Sequence, residues 1–423
     1  MKRILKSNLA LGAIALAITI VLSGTVQADV VTHWNETANA SLAAGGVRFN
    51  IQTRALAIMH AAMFDAVNAI DRQYTPYAIN LSASGASPEA AAAAAAHLVM
   101  VTLVPAQVAT LNAAYVASLA QIPDGPAKSD GIAMGETVAL AILALRSTDD
   151  LTFIAPYTPG NGPGAWQPTA PAFGPAVWVT WRNLKPFTLN SGAQFRAEGP
   201  PALTSAEYTA DFNEVKSLGA VNSTTRTPEQ TQIALFWLEN SNYTWNRIAR
   251  LAAVAHNNTL AQNARLFALL NMAGADSLIA GFDTKYTYNF WRPITAIRAG
   301  DTDGNDDTLG DPNWTPLAPL PAFATPPHPD YISNHSNYSA AAAQVLASFF
   351  GSDDFDYSIT TSTVPNGAFR SYNSFRQAAE ECGVSRIYVG YHFGTAVRHG
   401  LNMGKQVGNF AFHHSLQTLK ERE

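Results

Sequence analysis

The sequence has few charged residues and almost no cysteine. Charged side chains make up 13% of the 423 residues, against roughly 25% in an average globular domain. The single cysteine, Cys382, excludes an internal disulfide, so stability has to come from packing. Because 48% of the residues are hydrophobic, the chain can bury a large core.

The chain also lacks an excess of basic charge and, beyond its N-terminus, a long apolar run. Its formal net charge is -5, which gives no attraction for nucleic acid or an anionic membrane. No stretch after the N-terminus approaches the roughly 20 uninterrupted apolar residues of a membrane helix. We therefore expect neither nucleic acid nor, once the N-terminal segment is removed, a membrane as partner.

Residues 1–28 have the layout of a secretory signal peptide. Lys2, Arg3 and Lys6 precede an uncharged apolar run that ends in Val26-Gln27-Ala28. This arrangement predicts cleavage after Ala28 and a secreted or periplasmic protein, with an N-terminal membrane anchor as the alternative. Losing the three cations would change the net charge from -5 to -8.

Helical periodicity dominates the remaining sequence and predicts an all-α protein built of helical bundles. We expect an N-terminal helical region at 29–280 and a C-terminal helical region at 281–423. A Pro-, Gly- and Trp-rich stretch at 148–203 interrupts the first region and predicts a long loop that covers the core or a pocket. Further helices are predicted at 54–70, 88–102, 131–147, 229–256, 258–280, 336–350, 369–382 and 386–418.

Two groups of polar residues in the last third of the chain suggest an anion site. Lys285 and Arg292 are seven residues apart, which would place both cations on one face of a helix. Ser333-Asn334-His335 lies where a proline-rich run gives way to an alanine-rich helix. The N-terminus of a helix is positive and has free N–H groups, so an anion is the expected guest there.

A third group contains Ser385, Arg386 and His392. Taken alone, a charged pair is usually solvated surface, and a lone histidine on an apolar helix is usually a core residue. If the three groups converged, their cations, histidines and serine would suit one tetrahedral oxyanion.

The three groups together resemble a known signature, which reads K-x6-R-P, then P-S-G-H, then S-R-x5-H-x3-D. It is shared by vanadium-dependent haloperoxidases, type 2 phosphatidic acid phosphatases and bacterial acid phosphatases. The segments "HAAMFDAVNAID" and "LTSAEYTADFNEVKSLG" also look like secreted bacterial haloperoxidase-like proteins. The matching residues are Lys285, Arg292, Pro293, Ser333, His335, Ser385, Arg386 and His392.

This chain departs from the signature at three positions. Ile332 replaces a proline, and Asn334 replaces the glycine whose N–H contacts the oxyanion in the family. Because asparagine tolerates positive φ, we expect Asn334 to adopt a glycine-like backbone. Ala396 replaces the last aspartate, which orients the final histidine in the phosphatases. That loss should harm a nucleophilic histidine more than a ligating one, which favours a peroxidase.

The resemblance implies a vanadate-dependent haloperoxidase that oxidises halide with hydrogen peroxide, and a small organic acceptor is conceivable. His392 would ligate vanadium, Lys285 would polarise peroxide and His335 would act as general acid and base. Lys285, Arg292, Arg386, Ser333 and the Asn334 N–H would hold the vanadate oxygens.

Two alternatives remain open at this point. In an acid phosphatase of the same superfamily, His392 would form a phospho-histidine and His335 would protonate the leaving group. The chain could instead be a non-catalytic helical envelope protein with a vestigial anion site, if the three groups do not converge. The residues do not indicate an oligomeric state.

Two further features concern halide preference and calcium. His328 lies seven residues before His335, at a position that looks like the phenylalanine of fungal chloroperoxidases and the histidine of algal bromoperoxidases. This similarity favours bromide or iodide, although His328 is also interpretable as an ordinary loop histidine. The acidic segment 301–311 resembles a calcium loop but lacks its glycine and glutamate, so a solvated turn is favoured.

Overall fold

The computed structural model describes residues 29–149, 151, 156–318, 324–364 and 367–419, so the expected signal peptide at 1–28 lies outside the described residues. Within these ranges the chain forms thirteen α-helices and one antiparallel two-stranded sheet. The helices are α1 Val30–Ala44, α2 Phe49–Asp71, α3 Pro88–Leu103, α4 Val108–Ala120, α5 Pro126–Leu145, α6 Ala206–Leu218, α7 Pro228–Phe236, α8 Ser241–Ala255, α9 Leu260–Tyr288, α10 Pro293–Arg298, α11 Asn334–Phe350, α12 Phe375–Tyr388 and α13 Gly394–His414. The strands are β1 Asp354–Thr360 and β2 Phe369–Ser374, and Tyr357 pairs with Tyr372.

Helix α9 forms the centre of the molecule and connects its two main hydrophobic clusters. It is long and apolar enough to cross a membrane, but its apolar window is 100% buried, as in the core helix of a folded domain. One cluster joins α9 to α1–α5 and α8, and the other gathers α6, α10 and α13 around its C-terminal half. The C-terminal end of α9, which carries Lys285, therefore lies between two packed layers.

Helices α11 and α13 approach each other closely because glycine recurs every fourth residue on α13. A Cβ atom added at Gly404 would lie 2.0 Å from the carbonyl oxygen of Asn337 on α11. Gly400 and Gly408 meet the backbone of α11 in the same way. This contact fixes the beginnings of both helices, where His335 and His392 are found.

The interface between α11 and α12 contains the only cysteine of the chain. Cys382 is 0% exposed, and its sulfur accepts a hydrogen bond from Ser339 Oγ at 3.2 Å. Burial raises the pKa of the Cys382 thiol to about 11.

The loop expected at 148–203 contains, in its described part, one short 3-10 turn at Trp181–Asn183. It is attached to the core through Asp276 of α9, which is 0% exposed. The Asp276 carboxylate accepts hydrogen bonds from the backbone N–H groups of Phe187 at 2.6 Å, Thr188 at 2.7 Å and Leu189 at 3.1 Å. These bonds hold the loop against α9 as a wall over the core.

Several helix boundaries differ from the sequence predictions, for identifiable reasons. The helix predicted at 229–256 is divided between Phe236 and Ser241, and the helix predicted from 369 begins as β2. Ser205 caps α6, and Thr227 forms a capping box with Gln230 at the beginning of α7. The helix predicted at 386–418 is interrupted by a turn at Gly390, whose φ of +81° suits glycine.

Candidate active site

Lys285 and Arg292 do not share a helical face, which corrects the expectation from their spacing. Helix α9 ends at Tyr288, and Asn289 caps it in the left-handed conformation with φ 52°. Arg292 then precedes Pro293 as the extended N-cap residue of α10. A residue before proline disfavours the helical conformation, so one continuous helix through both cations is unfavourable.

The two side chains nevertheless meet, because both bind the same segment, residues 328–330. Lys285 Nζ donates to the carbonyl oxygens of Pro329 and Asp330, each at 2.8 Å. Arg292 Nε donates to the carbonyl oxygen of His328 at 2.8 Å. Burial, and then the neighbouring Arg292 charge, lower the pKa of Lys285 well below its ordinary value. Burial also lowers the pKa of Arg292 to about 10, so Arg292 stays charged near neutral pH.

Segment 328–330 leads into α11, whose first residues form the second part of the site. Ser333 is the N-cap, and its hydroxyl oxygen accepts a hydrogen bond from Ser336 Oγ at 2.8 Å. The Ser333 hydroxyl hydrogen is therefore available for an acceptor in the site.

Asn334 is the first residue of α11 and is absent from the positive-φ residues of the described chain, so the glycine-like backbone expected for it is wrong. The asparagine is accommodated through its side chain instead. A Cβ atom added at Gly281 of α9 would lie 2.3 Å from Asn334 Oδ1, so Asn334 occupies space that Gly281 leaves open.

Arg386 and His392 lie on either side of the turn at Gly390, not on one helix. Arg386 is in the last turn of α12, and His392 comes two residues before α13. Arg386 Nη2 donates to the carbonyl oxygen of Trp237 at 2.7 Å, and Nε donates to Ser385 Oγ at 2.9 Å. Arg386 Nη1 is buried and has no hydrogen-bond partner among the residues that the structure describes.

The His392 imidazole lies between Arg292 and a carboxylate. Its Nε2 atom is 3.1 Å from Arg292 Nη1, and its Nδ1 atom is 2.8 Å from Asp330 Oδ1. Burial lowers the pKa of His392, and the charges of Arg292, Lys285, His328 and Arg386 lower it further, in that order. All four groups therefore act electrostatically on one imidazole.

The other two histidines also contact the site. His328 is 9% exposed, and its Nδ1 atom is 3.0 Å from Arg292 Nη2. His335 is the second residue of α11, and its ring stacks on that of Phe49 with centroids 6.4 Å apart. Burial, and then the Arg386 charge, lower the pKa of His335. We refer below to Lys285, Arg292, Ser333, His335, Arg386 and His392 as the oxyanion cluster.

Asp330 is the residue of this site that the sequence reasoning missed. It is 0% exposed, and burial raises the pKa of its carboxyl group to about 7, whereas the Arg292 and Lys285 charges act in the opposite direction. Its only sequence signal is the position five residues before His335, which does not distinguish it from an ordinary loop aspartate.

Comparisons with known proteins agree with this geometry. Residues 265–421 match the family described as the VCPO second helical-bundle domain. The vanadium chloroperoxidase of Curvularia inaequalis is 28% identical over 290 residues, which are 57% of this chain and 46% of that protein. The chain thus spans less than half the length of that relative. A crystal structure of a bacterial vanadium-dependent iodoperoxidase superposes with a TM-score of 0.78 at 27% identity, over 92% of this chain and 97% of that one.

Residues 265–421 thus match a family model of the vanadium haloperoxidases, and the described fold is similar to that of the iodoperoxidase. The relatives named here are enzymes, and the all-α fold expected from the sequence is confirmed. A bacterial vanadium-dependent chloroperoxidase shares the fold at 18% identity, with a TM-score of 0.69 over 87% of this chain and 92% of that one.

The inference drawn from Ala396 needs correction. Ala396 lies in the first turn of α13, is 1% exposed, and has no carboxylate to offer His392. Asp330 presents one from a different segment. The missing motif aspartate therefore does not leave the final histidine without a carboxylate, and it no longer argues against a phosphatase.

The residues of the oxyanion cluster fit vanadate, the group that the family implies. Three buried cations, Lys285, Arg292 and Arg386, act on His392, and two of them, Arg292 and Lys285, act on the Asp330 carboxylate. An anion would compensate the remaining positive charge and give Arg386 Nη1 an acceptor. In the described part of the chain no three His, Cys, Asp or Glu side chains are grouped to hold a metal cation. The donors thus suit an oxyanion.

The acidic segment 301–311 forms a turn that uses its own carboxylates. Asp301 Oδ1 accepts the N–H of Gly310 at 2.8 Å, and Asp303 Oδ1 accepts the N–H of Asn305 at 2.9 Å. Thr308 Oγ1 donates to Asp303 as well, at 2.9 Å to the same oxygen. These bonds engage the Asp301 and Asp303 carboxylates within the turn.

Proposed function

We propose that this protein is a vanadate-dependent haloperoxidase that oxidises halide with hydrogen peroxide, with bromide or iodide favoured. The observation that carries the proposal is the convergence of three buried cations on His392, a cluster that needs an anion. The likeness to the bacterial iodoperoxidase over nearly the whole of both chains supports it. The convergence also removes the reason for preferring a vestigial anion site.

Each residue of the cluster has a distinct task in this proposal. Lys285, Arg292 and Arg386 donate hydrogen bonds and positive charge to the oxyanion, together with the Ser333 hydroxyl and the first N–H groups of α11. His392 offers the Nε2 lone pair as the ligand. Bound vanadate would supply the centre that makes peroxide electrophilic toward halide.

Proton handling is assigned to His335. Its Nε2 atom is buried and has no hydrogen-bond partner among the described residues, so it is free to exchange a proton with a bound reactant. Lys285, with its lowered pKa, would polarise peroxide. The Asn334 N–H contributes from the beginning of α11, where N–H groups lack intrahelical acceptors.

Halide preference is assigned through His328. Its imidazole contacts Arg292 and lies edge-on to Phe282, with ring centroids 5.3 Å apart. A polar ring at this position suits bromide or iodide in the resemblance described above. We further propose that the enzyme acts outside the cytoplasm, on the strength of the signal-like segment 1–28.

A phosphatase is the second candidate, and the Asp330 carboxylate favours it. A phospho-histidine mechanism needs His392 in one tautomer at each turnover, and Asp330 lies 2.8 Å from the nitrogen that would carry the hydrogen. His392 Nε2 would then attack phosphorus, and His335 would protonate the leaving group.

The two candidates are separated by assaying metal-free protein before and after loading with orthovanadate. We expect peroxide-dependent oxidation of iodide and bromide only after loading, and little hydrolysis of p-nitrophenyl phosphate before it. Excess phosphate should slow loading because it competes for the same cations. Efficient hydrolysis that vanadate inhibits, with no halide oxidation at any pH, would show that the chain is a phosphatase.

A further inference from the structure

We propose that Asp330 is a positioning residue for His392, which it holds in a single tautomer with the Nε2 lone pair directed into the oxyanion cluster. The role rests on the proposed function only in part, because His392 contacts the oxyanion in the phosphatase candidate too. In the signature, the aspartate at the position of Ala396 orients the final histidine. Asp330, in the segment before α11, would orient His392 in its place.

The first support is that the Asp330 backbone is fixed on both sides. Its N–H donates to the carbonyl oxygen of Phe290 at 2.8 Å, and its own carbonyl oxygen accepts from Lys285 Nζ at 2.8 Å. Its neighbour Tyr331 is 1% exposed. A carboxylate on so constrained a backbone keeps its position, and that is what orienting another side chain requires.

The second support is the geometry at the two ring nitrogens of His392. Arg292 Nη1, at 3.1 Å from Nε2, can only donate, because a guanidinium has no acceptor. Nε2 must then be the unprotonated nitrogen, and Nδ1 carries the hydrogen. Nδ1 lies 2.8 Å from an Asp330 carboxylate oxygen, a close approach outside hydrogen-bond geometry, and neither atom has any other hydrogen-bond partner among the described residues. An acceptor so close to that nitrogen favours the same tautomer.

The third support is burial, which strengthens both contacts. Asp330 is 0% exposed and His392 is 5% exposed, so water competes little for either group. The carboxylate is also 3.8 Å from Arg292 Nη1, which makes it the counter-ion of one of the cluster's cations. A carboxylate behind a ligating histidine fixes its orientation and raises its basicity.

The test uses the full chain and two substitutions, Asp330→Asn and Asp330→Ala. Asparagine preserves the shape but removes the charge, and alanine removes the contact. With orthovanadate as the probe in equilibrium dialysis, we expect the dissociation constant to rise about 10-fold in the first variant and up to about 100-fold in the second. Inorganic phosphate, measured by calorimetry on metal-free protein, serves as a second probe.

A spectroscopic readout separates positioning from general damage. Nitrogen-15 shifts of the His392 ring, assigned by comparison with His392→Gln, should report a protonated Nδ1 and a free Nε2 in the starting protein. Asp330→Asn should populate the other tautomer, because its amide can offer either a donor or an acceptor to Nδ1.

Asp211→Asn is the matched control. Asp211 is 3% exposed and accepts the N–H of Thr395 at 2.6 Å at the start of α13, but it is not part of the oxyanion cluster. We expect this variant to bind vanadate and phosphate as the starting protein does. The proposal would be overturned if Asp330→Asn bound vanadate and phosphate with unchanged affinity and left the nitrogen-15 shifts of the His392 ring unchanged. If halide oxidation were absent while Asp330→Asn still altered the His392 tautomer and weakened phosphate binding, the proposed function would fail and the positioning role would stand.

Discussion

Two clusters of buried polar residues lie in this fold, and they are built on opposite principles. One is the oxyanion cluster. The other, which we term the amide network, joins α1, α2, α8 and α9. It consists of Asn35, Asn39, Gln52, His60, Asn242, Asn246 and Asn271.

The amide network is uncharged and supplies most of its own partners. Asn35 donates to Asn246 Oδ1 at 2.6 Å, and the side chains of Asn246 and Asn271 exchange two hydrogen bonds of 3.0 Å. Burial lowers the pKa of His60 to about 3, so this histidine is neutral near pH 7. Such a network needs no ligand and serves to fix how the helices pack.

The oxyanion cluster has too much positive charge and too few acceptors. Arg386 Nη1 has no partner in the described part of the chain, and Lys285 binds only backbone carbonyl oxygens in it. Buried polarity alone therefore does not identify a functional site. The useful criterion is whether buried positive charge is matched from within the fold.

The largest effect that tests this comparison is expected from His392→Ala, which changes the oxyanion cluster alone. Halide oxidation by the vanadate-treated protein should fall to background, because the proposed ligand for the metal is removed. The melting temperature should change little, because Lys285, Arg292 and Arg386 keep their hydrogen bonds to backbone carbonyl oxygens. Peroxide consumption with bromide or iodide measures the first effect, and calorimetry measures the second. Retention of full oxidation would show that another residue ligates vanadium.

The converse test is Asn246→Ala in the amide network. This change leaves the donors of Asn35 and Asn271 unmatched in the core, and it should cost about 3 kcal/mol of unfolding free energy. Phosphate affinity should be unchanged, because the network does not touch the oxyanion. Urea denaturation and calorimetric titration provide the two measurements. A marked loss of phosphate affinity in a folded variant would mean that the two clusters are coupled.

Gly281→Ala tests the border of the oxyanion cluster. The new methyl group would overlap Asn334 Oδ1, because a Cβ atom at this position lies 2.3 Å from that oxygen. Overpacking of this kind costs about 1–3 kcal/mol of unfolding free energy. Adding Asn334→Gly should restore much of the lost stability, so the two changes should be strongly non-additive. Denaturation of both single variants and the double variant measures the coupling. Simple additivity would show that the two residues do not share this space.

The last test concerns His60 and the dependence of the unfolding free energy on pH. Its pKa is lowered from 6.5 to about 3 in the folded protein, chiefly by burial and then by Arg250. Protonation therefore favours the unfolded chain, and stability is lost as pH falls below 6.5 toward 3. Between these pH values, the unfolding free energy should depend less steeply on pH in His60→Gln, by about 1.4 kcal/mol per pH unit. Denaturation at pH 5 and pH 7 provides the check, and identical slopes would contradict the burial of a neutral imidazole.

The sequence predicted the site better than it predicted the backbone that forms it. Residues of the three groups lie near one another, as the contacts of Arg292 with His392 and of Lys285 with the segment before α11 show, whereas their roles stay predictions. The path between them was misjudged at Asn289 and Gly390, where the chain leaves a helix through a positive φ. Helical periodicity continues through such points, so it does not reveal them.

Asp330 was missed for a different reason. Its partner His392 is distant in sequence, and the contact exists only because the segment before α11 lies against the beginning of α13, where the Ser333 N–H donates to the Ala396 carbonyl oxygen. Helix α1 was also missed, and two of its buried residues, Asn35 and Asn39, are asparagines of the amide network.

Cys382 has a consequence for how long such an enzyme would survive. Hypohalous acids and peroxide attack thiolates first, and accessible thiols are oxidised irreversibly. The one sulfhydryl of this chain is 0% exposed and has a pKa of about 11, so it stays protonated and shielded. Under the proposed activity, the catalyst would expose no thiol to its own corrosive product, and its working life would not depend on a reducing environment.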